Sequence, residues 1–128
     1  MTDNLILIIE DNEKNRKLER DVLQFNGYET IESETAEEGI RLAQERHPAL
    51  ILMDIQLPGM NGIEALARLR NDPETRDVPV IAVTASAMTQ DRQKIMDAGF
   101  DGYQRKPLDL KEFLDAVRKI LQRRLDPS

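Results

Sequence analysis

Three acidic side chains each follow a short apolar run: Glu10 and Asp11 come after Leu5 to Ile9, and Asp54 after Leu50 to Met53. A hydroxyl, Thr84, follows Val80 to Val83, and an amine, Lys106, stands before Pro107. If the apolar runs are strands of one sheet, all five groups gather at one edge. Three ionised carboxylates and one ammonium leave two negative charges in excess, which a divalent cation neutralises before a dianionic phosphate can approach. Hard oxygen donors suit Mg²⁺, with Mn²⁺ as its substitute. Phosphoryl transfer asks a protein mainly for position and for positive charge at the equatorial oxygens. The cation can take one oxygen, Lys106 a second, and Thr84 with a nearby backbone N–H the third. Asp54 is then an adequate nucleophile that forms an acyl phosphate without a general base.

The elements that must position these groups follow from periodicity. Short apolar runs alternate with segments of helical period, the pattern of a parallel sheet covered on both faces. Leu5 to Ile9, Ala49 to Met53 and Val80 to Val83 read as buried central strands, and Tyr28 to Glu32, alternating apolar and charged, as an edge strand. A short fifth strand is expected around Gly102 to Gln104. Among the helices, Leu18, Val22 and Phe25 mark one face of the first, which Gly27 stops. Ala36, Gly39, Ile40 and Ala43 mark the second, where Thr35 and Glu38 have capping-box spacing. Ile63, Leu66, Ala67 and Leu69 mark the third, and Ile95 the fourth, from about Thr89 to Ala98. The fifth opens at Asp109 and presents Leu110, Phe113, Leu114, Val117, Ile120 and Leu121. In an open doubly wound sheet, ligands bind outside the carboxyl ends of the strands, where the five groups fall.

The bulk properties exclude several alternatives. The 128 residues suffice for one domain with its own core. With no cysteine there is no disulfide framework, thiolate ligand or thiol nucleophile, which fits a reducing compartment. A formal charge of −6 argues against a nucleic-acid surface. The basic tail, Arg118, Lys119, Arg123 and Arg124, reads as a solvated helix end whose cations suit the helix dipole. His47, before Pro48, reads in the same way as an exposed helix terminus rather than a ligand. The polar start and five-residue apolar run resemble neither a signal segment nor a membrane span, so a soluble, cytoplasmic protein is expected.

Taken singly, these signals are ordinary: an acidic pair after a strand is often a helix cap, and Lys-Pro a loop dipeptide. Together they are specific. Ile-Glu-Asp-Asn (9 to 12), Leu-Met-Asp-Ile-Gln-Leu-Pro-Gly-Met-Asn-Gly (52 to 62), Val-Thr-Ala (83 to 85), Gly-Tyr (102 and 103) and Lys-Pro-Leu (106 to 108) resemble the motifs of the response-regulator receiver family. The whole chain is covered, and the expected organisation is a single receiver domain over 1–128 with no output domain, similar to receivers of the CheY and DivK type. The resemblance implies a flavodoxin-like (β-α)5 fold with strand order 2-1-3-4-5. It implies that Asp54 receives a phosphoryl group from a histidine kinase or histidine phosphotransfer protein. Mg²⁺ would be held by Asp11, Asp54 and the backbone carbonyl of Gln56, with Glu10 acting through a bound water. Thr84, Lys106 and backbone amides near Gln56 and Ala85 would hold the phosphoryl oxygens. A cis peptide is expected between Lys106 and Pro107.

The resemblance further implies a switch in which Thr84 is drawn inward and Tyr103 follows. The readout face would be the fourth helix, fifth strand and fifth helix, with Ala87, Met88, Arg92, Tyr103, Arg105 and Glu112 as candidates for contact with a downstream effector protein. Gln56 and Ser86, two residues after Asp54 and Thr84, would tune phosphate lifetime, and Met60 is a candidate for the kinase-docking face. Such a protein is a phosphorelay switch rather than an enzyme, acting only on its own phosphorylation and dephosphorylation. A flavin carrier of this fold is disfavoured because Glu10 and Asp11 would repel a phosphate. An aspartyl phosphatase is disfavoured because Gln56 stands where a second carboxylate acts. A receiver module cut from a hybrid kinase or longer regulator remains the nearest alternative.

Overall fold

The computed structural model describes residues 4–85 and 89–125. Five strands alternate with five helices: β1 (Leu5–Ile9), α1 (Glu13–Phe25), β2 (Glu29–Ser33), α2 (Ala36–Arg46), β3 (Leu50–Asp54), α3 (Gly62–Arg70), β4 (Val80–Thr84), α4 (Thr89–Asp97), β5 (Gly102–Arg105) and α5 (Leu110–Leu125). The strands are all parallel, in the order β2-β1-β3-β4-β5, as expected. β1, β3 and β4 are buried throughout because helices cover both faces. On one face Leu7, Ile9, Ile51, Met53, Val80 and Ala82 pack with Ala36 and Ala43 of α2, Ala65, Leu66 and Leu69 of α3, and Ile95 of α4. On the other, Ile6, Ile8, Leu50, Leu52 and Ile81 meet Leu23 of α1 and Phe113, Val117, Ile120 and Leu121 of α5.

Side chains set the helix starts. The Thr35 hydroxyl accepts the Glu38 N–H at 3.2 Å, Asn61 accepts that of Glu64 at 2.9 Å, and Asp109 accepts that of Glu112 at 3.1 Å. Beyond α1, Gly27 adopts a φ of 90°, a left-handed conformation that glycine takes without steric cost.

Three expected faces need correction. Leu18 and Phe25 are 41% and 82% exposed, and α1 instead buries Glu19 and Leu23. The apolar spacing identified a flank of the helix because a glutamate occupies its inward line. In α3, Ala65 and not Ala67 is inward, a choice that two alanines cannot signal by hydropathy. Leu110 is exposed where α5 begins. β2 closes one side of the sheet with Glu29 exposed and the strand only partly covered, the expected edge. No helix among the described residues is long and apolar enough to cross a membrane.

Candidate phosphoacceptor and cation site

Strand register explains why the functional groups meet. Ile9 pairs with Met53, Asp54 with Val83, and Thr84 with Arg105, so the ends of β1, β3, β4 and β5 lie side by side. Glu10 and Asp11 continue from β1, Asp54 and Thr84 are the last residues of β3 and β4, and Lys106 follows β5. The Lys106 N–H donates to the Thr84 carbonyl at 2.8 Å, joining the last two backbones. The peptide between Lys106 and Pro107 is cis, as expected.

One carboxylate oxygen from each of Glu10, Asp11 and Asp54 can be chosen so that all lie within 4.8 Å of one another. Glu10 and Asp54 are buried and Asp11 is exposed. Lys106 Nζ sits 2.7 Å from Glu10 Oε1 and 3.2 Å from Asp54 Oδ2. The first contact is close in distance but off the hydrogen-bond direction, which leaves the buried Glu10 Oε1 without an aligned donor. Asp54 Oδ1 accepts the Gln56 N–H at 3.0 Å, and Glu10 Oε2 accepts that of Asn12 at 3.1 Å.

Burial first, and crowded negative charge second, set the titration behaviour. Burial, followed by the neighbouring Asp54 carboxyl, pushes Glu10 from 4.5 up to about 7. For Lys106, burial is the largest influence and acts downward, yet Glu10 and Asp54 together raise it and keep it protonated. The single ammonium therefore does not balance the acids. An all-oxygen donor set with a buried oxygen lacking an aligned partner fits a hard divalent cation.

The remaining expected residues are placed as follows. Thr84 is buried at the edge and Ala85 is exposed beside it. Tyr103 is half-buried on β5, packed against the apolar cluster, with the Arg92 guanidinium carbon 5.7 Å from its ring centroid. Arg92, Arg105 and Glu112 are exposed. Ser86, Ala87 and Met88 lie outside the described residues. Met60 is partly buried against the core. His47 is exposed in a left-handed helix cap, as expected, with Nε2 3.7 Å from Glu74 Oε2.

Sequence reasoning missed two residues near the site. Glu19 is 2% exposed, and its Oε2 accepts no hydrogen bond. Burial, then Glu10, raises it from 4.5 to about 8. Arg16 donates from Nη1 to the Glu10 carbonyl at 3.0 Å. Neither carries a motif; a glutamate breaking the inward line of α1 was the one available signal.

The chain matches the response regulator receiver domain over residues 6–118. It is 46% identical over 116 residues to the polar-differentiation response regulator DivK of Brucella ovis, covering 91% of this chain and 94% of that protein. Among solved structures, a CheY-like response regulator receiver domain protein from Methanospirillum hungatei JF-1 superposes with a TM-score of 0.88 at 28% identity, covering 98% of each chain. The receiver domain of sensor histidine kinase PA1611 from Pseudomonas aeruginosa PAO1, solved with a magnesium ion coordinated in its active site cleft, gives 0.81 at 33% identity, covering 94% of this chain and 95% of that one. Sheet order, the acidic edge with its lysine, and these relationships agree: the chain belongs to the response regulator receiver domain family.

Proposed function

We propose that this protein is a cytoplasmic two-component response regulator that accepts a phosphoryl group on Asp54 from a histidine kinase or histidine phosphotransfer protein. The observation that carries this reading is the meeting of Asp54 with Lys106 at 3.2 Å beside the Glu10 and Asp11 carboxylates. Mg²⁺ would be held by Asp11, Asp54 and the Gln56 carbonyl, with Glu10 acting through a bound water. The bound ion would supply positive charge to a phosphoryl oxygen.

The protein's own groups do the rest. An Asp54 carboxylate oxygen attacks phosphorus, the donor's P–N bond breaks, and the imidazole leaves with its electron pair. Lys106 follows the transferred group and neutralises a second oxygen, while the Thr84 hydroxyl and the Ala85 N–H take the third. Because these contacts exist only with the phosphoryl group present, they favour the conformer in which Thr84 and Tyr103 have moved inward. The changed α4-β5-α5 face then binds an effector protein. The protein works as a switch and hydrolyses only its own acyl phosphate.

Incubation with acetyl phosphate and Mg²⁺ tests this reading. The expected product is one acid-stable, base-labile acyl phosphate per chain, absent in Asp54→Asn and after chelation. Undiminished labelling of Asp54→Asn would place the acceptor elsewhere.

A further inference from the structure

The three carboxylates of the acidic group are not held alike. Glu10 is fixed by the Asn12 N–H and the nearby Lys106 ammonium, and Asp54 by the Gln56 N–H and Lys106. Among the described residues, nothing hydrogen-bonds to the Asp11 carboxylate, which stands exposed at the rim. Its direction therefore depends on the backbone that carries it.

That backbone is clamped. The Glu10 N–H donates to the Ser33 carbonyl at 3.0 Å, and the Glu10 carbonyl accepts from Arg16 Nη1 at 3.0 Å. This carbonyl belongs to the peptide joining Glu10 to Asp11, so the Arg16 bond sets the plane from which the Asp11 side chain departs. Arg16 is itself aimed. Its Nε donates to Glu32 Oε1 at 3.1 Å, its Nη1 lies 3.6 Å from Glu34 Oε1, and its side chain is only 14% exposed. Arg20 Nη1 reaches both oxygens of Glu32 at 3.2 and 3.1 Å and keeps that carboxylate in place. A planar guanidinium can serve the carbonyl and the carboxylate at once; an ammonium on a flexible stem does so less well.

We propose that Arg16 is a positioning residue for the divalent cation: by gripping the Glu10 carbonyl from an anchor on the edge strand, it orients Asp11 as a ligand. The inference rests on the cation site of the proposed function. Arg16 is a cation near a cation site, so deleting its charge should strengthen metal binding if electrostatics alone mattered. The clamp requires the reverse.

The test is Mn²⁺ affinity, read from the free-ion electron paramagnetic resonance signal of the intact protein without phosphodonor. Wild type is expected to bind one Mn²⁺; absence of binding would overturn the cation site itself. Arg16→Met, which keeps an apolar stem, is expected to bind about five- to tenfold more weakly, at the lower end of the effect of groups that orient metal ligands. Arg16→Lys, which keeps the charge, is expected to fall between them, and serves alone if the Met variant does not fold. In an Asp11→Asn background the loss caused by Arg16→Met should vanish, because the residue that Arg16 orients is gone. Wild-type binding with unchanged or tighter affinity in Arg16→Met, unchanged affinity in Arg16→Lys, or an equal loss in the Asp11→Asn background, would each overturn the clamp and leave the cation site standing.

Discussion

Lys106 and Asp54, 52 residues apart in the chain, are joined by a 3.2 Å contact between Nζ and Oδ2. The ammonium also neighbours Glu10, so it is the principal countercharge of two buried acids. Replacing it by methionine leaves them uncompensated, and removing one partner of such a group costs on the order of 3 kcal/mol. A divalent cation restores part of the missing charge. Thermal unfolding with and without millimolar Mg²⁺ should therefore show a larger metal-induced rise in Tm for Lys106→Met than for wild type. An equal rise would mean that Lys106 does not balance the acids.

Glu19 makes stability depend on pH in a defined direction. Its carboxyl titrates near 8 in the folded protein against 4.5 unfolded, so the folded state holds the proton more tightly. The associated stability is full below about 4.5 and is lost as pH rises through about 8. Glu10, displaced to about 7, acts in the same sense in metal-free buffer. Glu19→Gln, an uncharged isostere of the protonated acid, should match wild type near pH 4 and exceed it near pH 9. The gap should be on the order of a few kcal/mol, since one unit of displacement is worth about 1.4 kcal/mol. Denaturant unfolding across that range measures it, and a gap independent of pH would refute a buried, protonated Glu19.

Gly62 lets α3 start against the strand end that carries the acceptor. A Cβ there would meet Ile55 Cα at 2.9 Å and the Asp54 carbonyl at 3.0 Å. Gly62→Ala must push α3 away from backbone that has no free rotamer to yield, at a cost of about 1–3 kcal/mol. Slower labelling of Asp54 should accompany the lower Tm, because the displaced contact includes its own carbonyl. Normal labelling with normal Tm would show that the helix start can relax freely.

Tyr103 is expected to transmit the phosphorylated state. Its side chain is half-buried, packed against the core with Arg92 5.7 Å from the ring centroid, so a change at the ring would be felt on the exposed surface beside it. Tyr103→Ala should accept phosphate at Asp54 as wild type does, yet lose the phosphorylation-dependent gain in effector affinity. Retention of that gain, read by titration of an identified effector with both forms, would remove Tyr103 from the switch.

Much of the architecture was legible because short β-branched and leucine-rich runs between helical segments have one economical arrangement, a parallel sheet covered on both faces. The acidic edge was legible for the same reason: Asp54 and Thr84 directly terminate such runs, so register alone brings them together. What escaped depended on which side of a helix turns inward. Leu18 and Phe25 suggested one line of α1, whereas the fold buries Glu19, a choice that hydrophobicity opposes and packing overrules. Arg16 was invisible for another reason. Its role arises from a backbone carbonyl and a glutamate on β2, neither of which a local pattern connects to it.

The position of β2 at the end of the sheet leaves one row of its peptide groups without a neighbouring strand. Such a rim is a template on which a second molecule could add its own extended segment. Glu29 stands exposed along it, whereas Glu32 is already paired with Arg16 and Arg20, so two approaching copies would bring the Glu29 carboxylates together. An exposed charge on an edge strand works against such strand addition, so the open rim carries its own guard against a second copy.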